Sequence, residues 1–197
     1  NVYARLDALF LKLYLDEEDL SVLLVIDATP SMDWGSPSKW TFARRVAMAL
    51  GSIALASRHR LSVATIDGGG VNQLRDLRGR GRTAELGRWL IDREIGPASI
   101  DVCETGLRAL APTRRGRGVA IVLSDFLWET DPVASLRSLA TGGDDVHCLQ
   151  VLSPEELDPG RSGMVGDLRL VDAEDGSTRE VTVTPALLAA YRTRLGA

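Results

Sequence analysis

Two stretches of this chain, Ser21–Asp27 (SVLLVID) and Gly118–Asp125 (GVAIVLSD), stay apolar on both alternating faces until each reaches an aspartate. A strand with one face in water alternates polar and apolar residues. A run without that alternation reads as a strand covered on both sides, which is the environment of a mostly parallel sheet. Leu61–Asp67 (LSVATID) predicts another strand, closed by Gly68 to Gly70, and Asp145–Leu152 (DVHCLQVL) a further core strand.

Helical patterns separate them. Ser38–Ser57 carries Phe42, Val46, Ala49, Leu50 and Ile53 at helical spacing, and Thr83 opens a helix to about Ile95 with Leu86, Leu90 and Ile91 as its buried stripe. Thr105–Leu110 and Pro132–Ala140 read as two more, while Arg75–Arg82 (RDLRGRGR) reads as a basic, glycine-punctuated loop. Strands alternating with helices at this spacing predict an α/β fold, doubly wound and mostly parallel, with helices on both faces.

The ends of the chain differ from its middle. The tail, GDLRLVDAEDGSTREVTVTP, reads as two strands around a turn, followed by a helix over Pro185–Leu195. The head has leucine at positions 9, 11, 13 and 15, the period of an added strand. The expected organisation is an N-terminal extension over 1–19, a main domain over 20–155, and a hairpin and helix over 156–197 packed on that same domain. The first residue is Asn1, so the chain reads as a fragment of a longer protein.

Composition excludes more than it assigns. The 197 residues are 45% apolar and 25% charged, with a net charge of −4, which argues against a nucleic-acid binder. Cys103 and Cys148 lack metal-site spacing and read as reduced thiols of a cytoplasmic protein. No apolar run approaches the length of a membrane span, and no signal peptide is visible, although an anchor upstream of Asn1 would not be seen.

In an open α/β sheet, ligands bind outside the carboxyl ends of the strands. Asp27 and Asp125 each end a buried strand, and Thr29 and Ser31 follow Asp27 at every second position, with Pro30 restricting the loop between them. Such a set offers only oxygen, so the matching ion is hard: Mg²⁺, Mn²⁺ or Ca²⁺ rather than zinc. Trp34 and Trp128 lie in the two adjoining loops and read equally as anchors for a partner or as lids on the core. His59 and His147 lie near no plausible nucleophile, so a hydrolytic triad has no visible base.

The segment DATPS resembles the D-x-S-x-S signature of the von Willebrand factor A domain, a Rossmann-like fold whose metal-ion-dependent adhesion site is built from it. That resemblance implies a further threonine, matched by Thr105, and a later strand-ending aspartate, matched by Asp125. Thr29 stands where the family has serine, and Gly106 where many members have aspartate. Together with KWTFARRVAMALGSIAL, IVLSDF and GDLRLVDAEDGSTREV, the chain is similar over nearly its whole length to a bacterial branch of that superfamily, the domain of unknown function 58 family.

The resemblance implies a non-enzymatic interaction module. Its Mg²⁺ or Mn²⁺, held by Asp27, Thr29, Ser31, Thr105 and Asp125, would accept an Asp or Glu carboxylate from a partner protein. A MoxR-type AAA+ ATPase is the implied partner class, in complex assembly or maturation. The alternatives are a Mg²⁺-dependent hydrolase or phosphatase using Asp27, and a scaffold whose site holds no metal. The phosphatase pattern needs a second carboxylate at position 29, where this chain has threonine.

Overall fold

The computed structural model describes residues 20–97, 102–113, 118–128, 132–140, 145–160, 163–173 and 176–195. The strand expected in the head lies outside the described residues.

Burial on both faces of one strand organises the fold. Strand β1 (Ser21–Asp27) lies in the middle of a five-stranded sheet, parallel to β2 (Arg60–Asp67) on one side and β4 (Gly118–Ser124) on the other. Leu24 and Ile26 face one core, with Trp40, Ala43, Leu61, Leu86 and Leu90. Leu23 and Val25 face the other, with Ile66, Cys103, Leu107, Val122 and Leu139. Each such fully buried side chain is worth about 1.5–3 kcal/mol relative to exposure, so the unalternating run is itself the driving force.

The first core is covered by helices α1 (Lys39–Ala56) and α2 (Thr83–Ile91), the second by α3 (Val102–Leu110) and α4 (Val133–Leu139). The sheet ends in β3 (Gly70–Leu77) beside β2 and in β5 (Asp145–Gln150) beside β4. A short helix α5 (Pro154–Leu157), an antiparallel pair β6 (Gly166–Val171) and β7 (Thr178–Val183), and helix α6 (Pro185–Leu195) complete the described chain. Among the described residues, no helix is long and apolar enough to cross a membrane.

Several expectations need correction. Part of the basic loop is strand: β3 runs antiparallel to β2 through the turn at Gly68 and Gly69, and only the residues after Leu77 leave the sheet. Its burial is slight because it is an edge strand, which is why its polar residues hid it. The expected core strand β5 is likewise an edge, with His147, Cys148 and Leu149 exposed.

Helix α1 buries a different stripe from the one expected. Phe42 and Ile53 are 52% and 62% exposed, whereas Trp40, Ala43, Ala47, Gly51 and Ala54 face the sheet. Small residues let the helix approach closely; a Cβ at Gly51 would lie 2.6 Å from Leu86 Cδ2 and 3.1 Å from Leu61 Cδ2. The boundaries also shift: α2 ends at Ile91 rather than Ile95, and α3 begins at Val102.

Gly51→Val is therefore expected to lose about 1–3 kcal/mol through overpacking. Ile53→Ser, half a turn away, is expected to change stability by no more than about 0.5 kcal/mol. Urea unfolding of the two variants checks this directly.

Candidate functional site

Parallel pairing brings the carboxyl ends of β1, β2 and β4 to one edge of the sheet, and each ends in or beside an aspartate: Asp27, Asp67 and Asp125. All three are buried. Asp67 was not singled out in the sequence, although VATID repeats the pattern of LLVID. Its Oδ1 accepts the N–H of Gly69, and Gly96 closes over it, so that a Cβ there would lie 2.4 Å from the Asp67 carboxyl carbon.

Asp27, Thr29 and Ser31 are brought together. Asp27 Oδ1 accepts the Thr29 N–H at 3.0 Å and the Thr29 hydroxyl at 2.7 Å, and Thr29 Oγ1 lies 3.1 Å from Ser31 Oγ. The short 3₁₀ turn over Pro30–Asp33 supplies the curl, with Met32 pinned in the core beneath it. The second oxygen, Oδ2, accepts from Ser124 Oγ at 2.5 Å, Trp128 Nε1 at 3.1 Å and Cys103 Sγ at 3.6 Å. Every one of these donors is neutral.

Asp125 is served differently. Its Oδ2 forms an ion pair with Lys39 Nζ at 2.8 Å, and its Oδ1 accepts the Leu127 N–H. Lys39 is 2% exposed and also contacts Glu156 Oε1 at 2.5 Å. Burial alone would pull its ammonium down, but hydrogen bonds and charge from Asp125 and Glu156 outweigh that and hold it above the ordinary lysine value.

Glu156 is fixed by a capping box on α5, since Ser153 Oγ accepts its N–H while its Oε2 accepts the Ser153 N–H. Tyr191 of α6 donates its hydroxyl to the Glu156 carbonyl at 2.6 Å, and Arg192 pairs with Asp158.

Thr105 does not join this set. Cys103, Gly106, Leu107 and Leu110 form the buried face of α3, and a Cβ at Gly106 would lie 2.5 Å from Ile66 Cγ2. One position round the helix, Thr105 is exposed. The side chain from α3 that does reach Asp27 is Cys103.

The two tryptophans also part. Trp34 is 51% exposed, whereas the half-buried Trp128 turns its indole N–H onto Asp27 and packs against Phe126, ring centroids 5.2 Å apart. Phe126 has φ +56°, a left-handed backbone held by its N–H on Ser124 Oγ, and this fixes how the loop after β4 folds back.

The sequence reading missed Lys39, Ser124 and Glu156. Lys39 and Glu156 had legible signals: a lysine at the positive end of a helix is unfavourable without compensation, and Ser153 to Glu156 has capping-box spacing. Among the described residues, no three His, Cys, Asp or Glu side chains are arranged to hold a metal. The oxygen donors that do converge are two hydroxyls and one carboxylate.

Residues 1–196 of the 197 match the family described as protein of unknown function DUF58. It belongs to that family. Uncharacterised proteins of Mycobacterium tuberculosis and Mycobacterium bovis are 29% identical over 175 residues, 87% of this chain and 54% of theirs. The chain thus spans about half the length of these curated relatives.

Among solved structures, a von Willebrand factor type A protein from Catenulispora acidiphila has the same fold, with a TM-score of 0.51 at 16% identity over 89% of this chain and 42% of that one. An aerotolerance-related membrane protein from Bacteroides fragilis, carrying multiple mutations to serine, gives 0.56 at 14% identity over 90% and 89%. The expected α/β class and family are both met.

Removing the Lys39 ammonium leaves Asp125 buried without its cation. Lys39→Ala is expected to cost about 3–5 kcal/mol in urea unfolding near neutral pH. Because folding raises this pKa, the contribution is complete below the ordinary value of 10.5 and fades as pH climbs through the higher native value. The gap between the two proteins should therefore stay constant across neutral pH and close only in strong alkali.

Proposed function

We propose that this DUF58 chain is a metal-assisted protein-interaction module that docks a partner at the carboxyl edge of its sheet. The observation that carries this reading is Asp27: a carboxylate 2% exposed, met among the described residues by neutral donors alone, beside two hydroxyls that touch one another. A buried anion balanced only by dipoles favours a cation nearby. The donor set of Asp27, Thr29 and Ser31 fits a hard ion such as Mg²⁺ or Mn²⁺. Such an ion, when bound, supplies an open coordination position for a partner's Asp or Glu carboxylate.

This chain's own residues do the rest. Ser124 and Trp128 hold the Asp27 carboxylate in one orientation, and Met32 anchors the loop that carries Thr29 and Ser31. Thr105 and Asp125, the remaining residues implied by the von Willebrand resemblance, contribute less directly: the first lies on the exposed side of α3 and the second is paired with Lys39. Trp34, 51% exposed, and Leu127, 64% exposed, offer apolar contact area on the loops after β1 and β4. The family resemblance makes a MoxR-type AAA+ ATPase the first partner to test.

A phosphatase using Asp27 as nucleophile has less support, because that chemistry needs a second carboxylate at position 29, where this chain has threonine. Turnover of an aryl phosphate with Mg²⁺, lost in Asp27→Asn, would reverse that ranking.

Ser31→Ala is expected to weaken Mn²⁺ binding at least tenfold, about 1.4 kcal/mol, by electron paramagnetic resonance titration. Trp34→Ala should leave Mn²⁺ binding intact while weakening retention of the ATPase in Mg²⁺ by a similar factor. Retention that survives EDTA and Ser31→Ala unchanged would sink the metal-assisted reading.

A further inference from the structure

Lys39 is disfavoured twice where it stands. It is the first residue of α1, at the positive end of the helix, and it is 2% exposed, where lysine is rarely found unpaired. Its ammonium reaches two carboxylates from separate elements: Asp125 after β4, and Glu156 on α5. Glu156 is held in place by its capping box, so it is a fixed acceptor rather than a mobile surface acid. Asp125 is the residue matched to the last carboxylate of the family's metal set, and its charge is already met by Lys39.

We infer that Lys39 is a tethered cation that competes with a divalent ion for Asp125, with Glu156 as the second acceptor that keeps the ammonium paired when Asp125 is drawn toward the ion. The inference rests on the reading of Thr29 and Ser31 as ion ligands.

Electrostatics supports both halves. An ammonium 2.8 Å from Asp125 Oδ2 repels a second cation brought to the same carboxylate, and in a buried setting little water screens that repulsion. Displacing a lysine with a single acceptor would strand a buried charge; with Glu156 at 2.5 Å the charge stays compensated. Tyr191 of α6 adds to the fixing of Glu156 by donating its hydroxyl to the Glu156 carbonyl.

Mn²⁺ titration by electron paramagnetic resonance on wild type, Lys39→Met and Glu156→Gln tests this. Lys39→Met is expected to lower the Mn²⁺ dissociation constant at least tenfold and to gain more thermal stability from Mn²⁺ than wild type does. Glu156→Gln, which keeps the ammonium but weakens its second acceptor, is expected to raise the constant severalfold.

Wild-type binding with Lys39→Met equal or weaker overturns the competition while leaving the metal reading standing. Absence of Mn²⁺ binding in both wild type and Lys39→Met overturns the metal reading and the competition with it. Should Lys39→Met fail to fold, an unchanged constant in Glu156→Gln is sufficient to overturn the competition.

Discussion

The Asp27 carboxylate is the knot of this structure. Its two oxygens collect donors from its own loop, from the end of β4, from the loop beyond it and from α3. The loop after β1, helix α3 and the end of β4 with its loop are well separated in sequence, and each gives up water to make the contact. A buried carboxylate that lost these donors would carry a desolvation cost of several kcal/mol, so the donors and the fold around them are mutually dependent. The sheet delivers Asp27 to the edge, and Asp27 in turn decides how the edge closes.

Beside it the same problem is solved in the opposite way. Asp125 is neutralised by a full charge, the Lys39 ammonium, rather than by dipoles. Two carboxylates on neighbouring strands therefore differ in kind: one is balanced by fixed neutral groups, the other by a flexible side chain that also serves α5. That difference gives the edge one rigid half and one half whose charge is shared with the C-terminal helices.

Much of the framework was legible because burial writes itself into composition. SVLLVID and GVAIVLSD can be stable only when covered on both faces, and they are β1 and β4. The tail hairpin and Pro185–Leu195 were equally plain from turn chemistry and a proline start.

Edges were not legible. β3 and β5 are stabilised by backbone pairing more than by side-chain burial, so Arg75 and Asp76 in the first and the exposed Leu149 in the second misdirect a reading built on hydrophobic pattern. Phe42 and Ile53 misled for the converse reason, since α1 packs through alanine and glycine and turns its larger side chains outward. In the candidate site, local spacing pointed to Asp27, Thr29 and Ser31, whose side chains the loop after β1 brings into contact. Lys39 with Glu156 could be joined only across 117 residues, a separation that no local pattern spans.

The return of β3 has a consequence for the molecule as a charged object. Because β3 runs against the other strands, Gly70 pairs near the carboxyl edge and Leu77 near the amino edge, beside Leu61. The arginines at 75, 78, 80 and 82 are thereby carried toward the pole where Arg58 and Arg60 begin β2, away from Asp27, Asp67 and Asp125. Among the described residues, exposed arginines therefore gather toward the amino end of the strands, while the three aspartates at the carboxyl end are buried. The exposed positive charge of the β3 return thus meets solvent at the end of the sheet opposite the candidate site, so an acidic group drawn to those arginines is held away from Asp27.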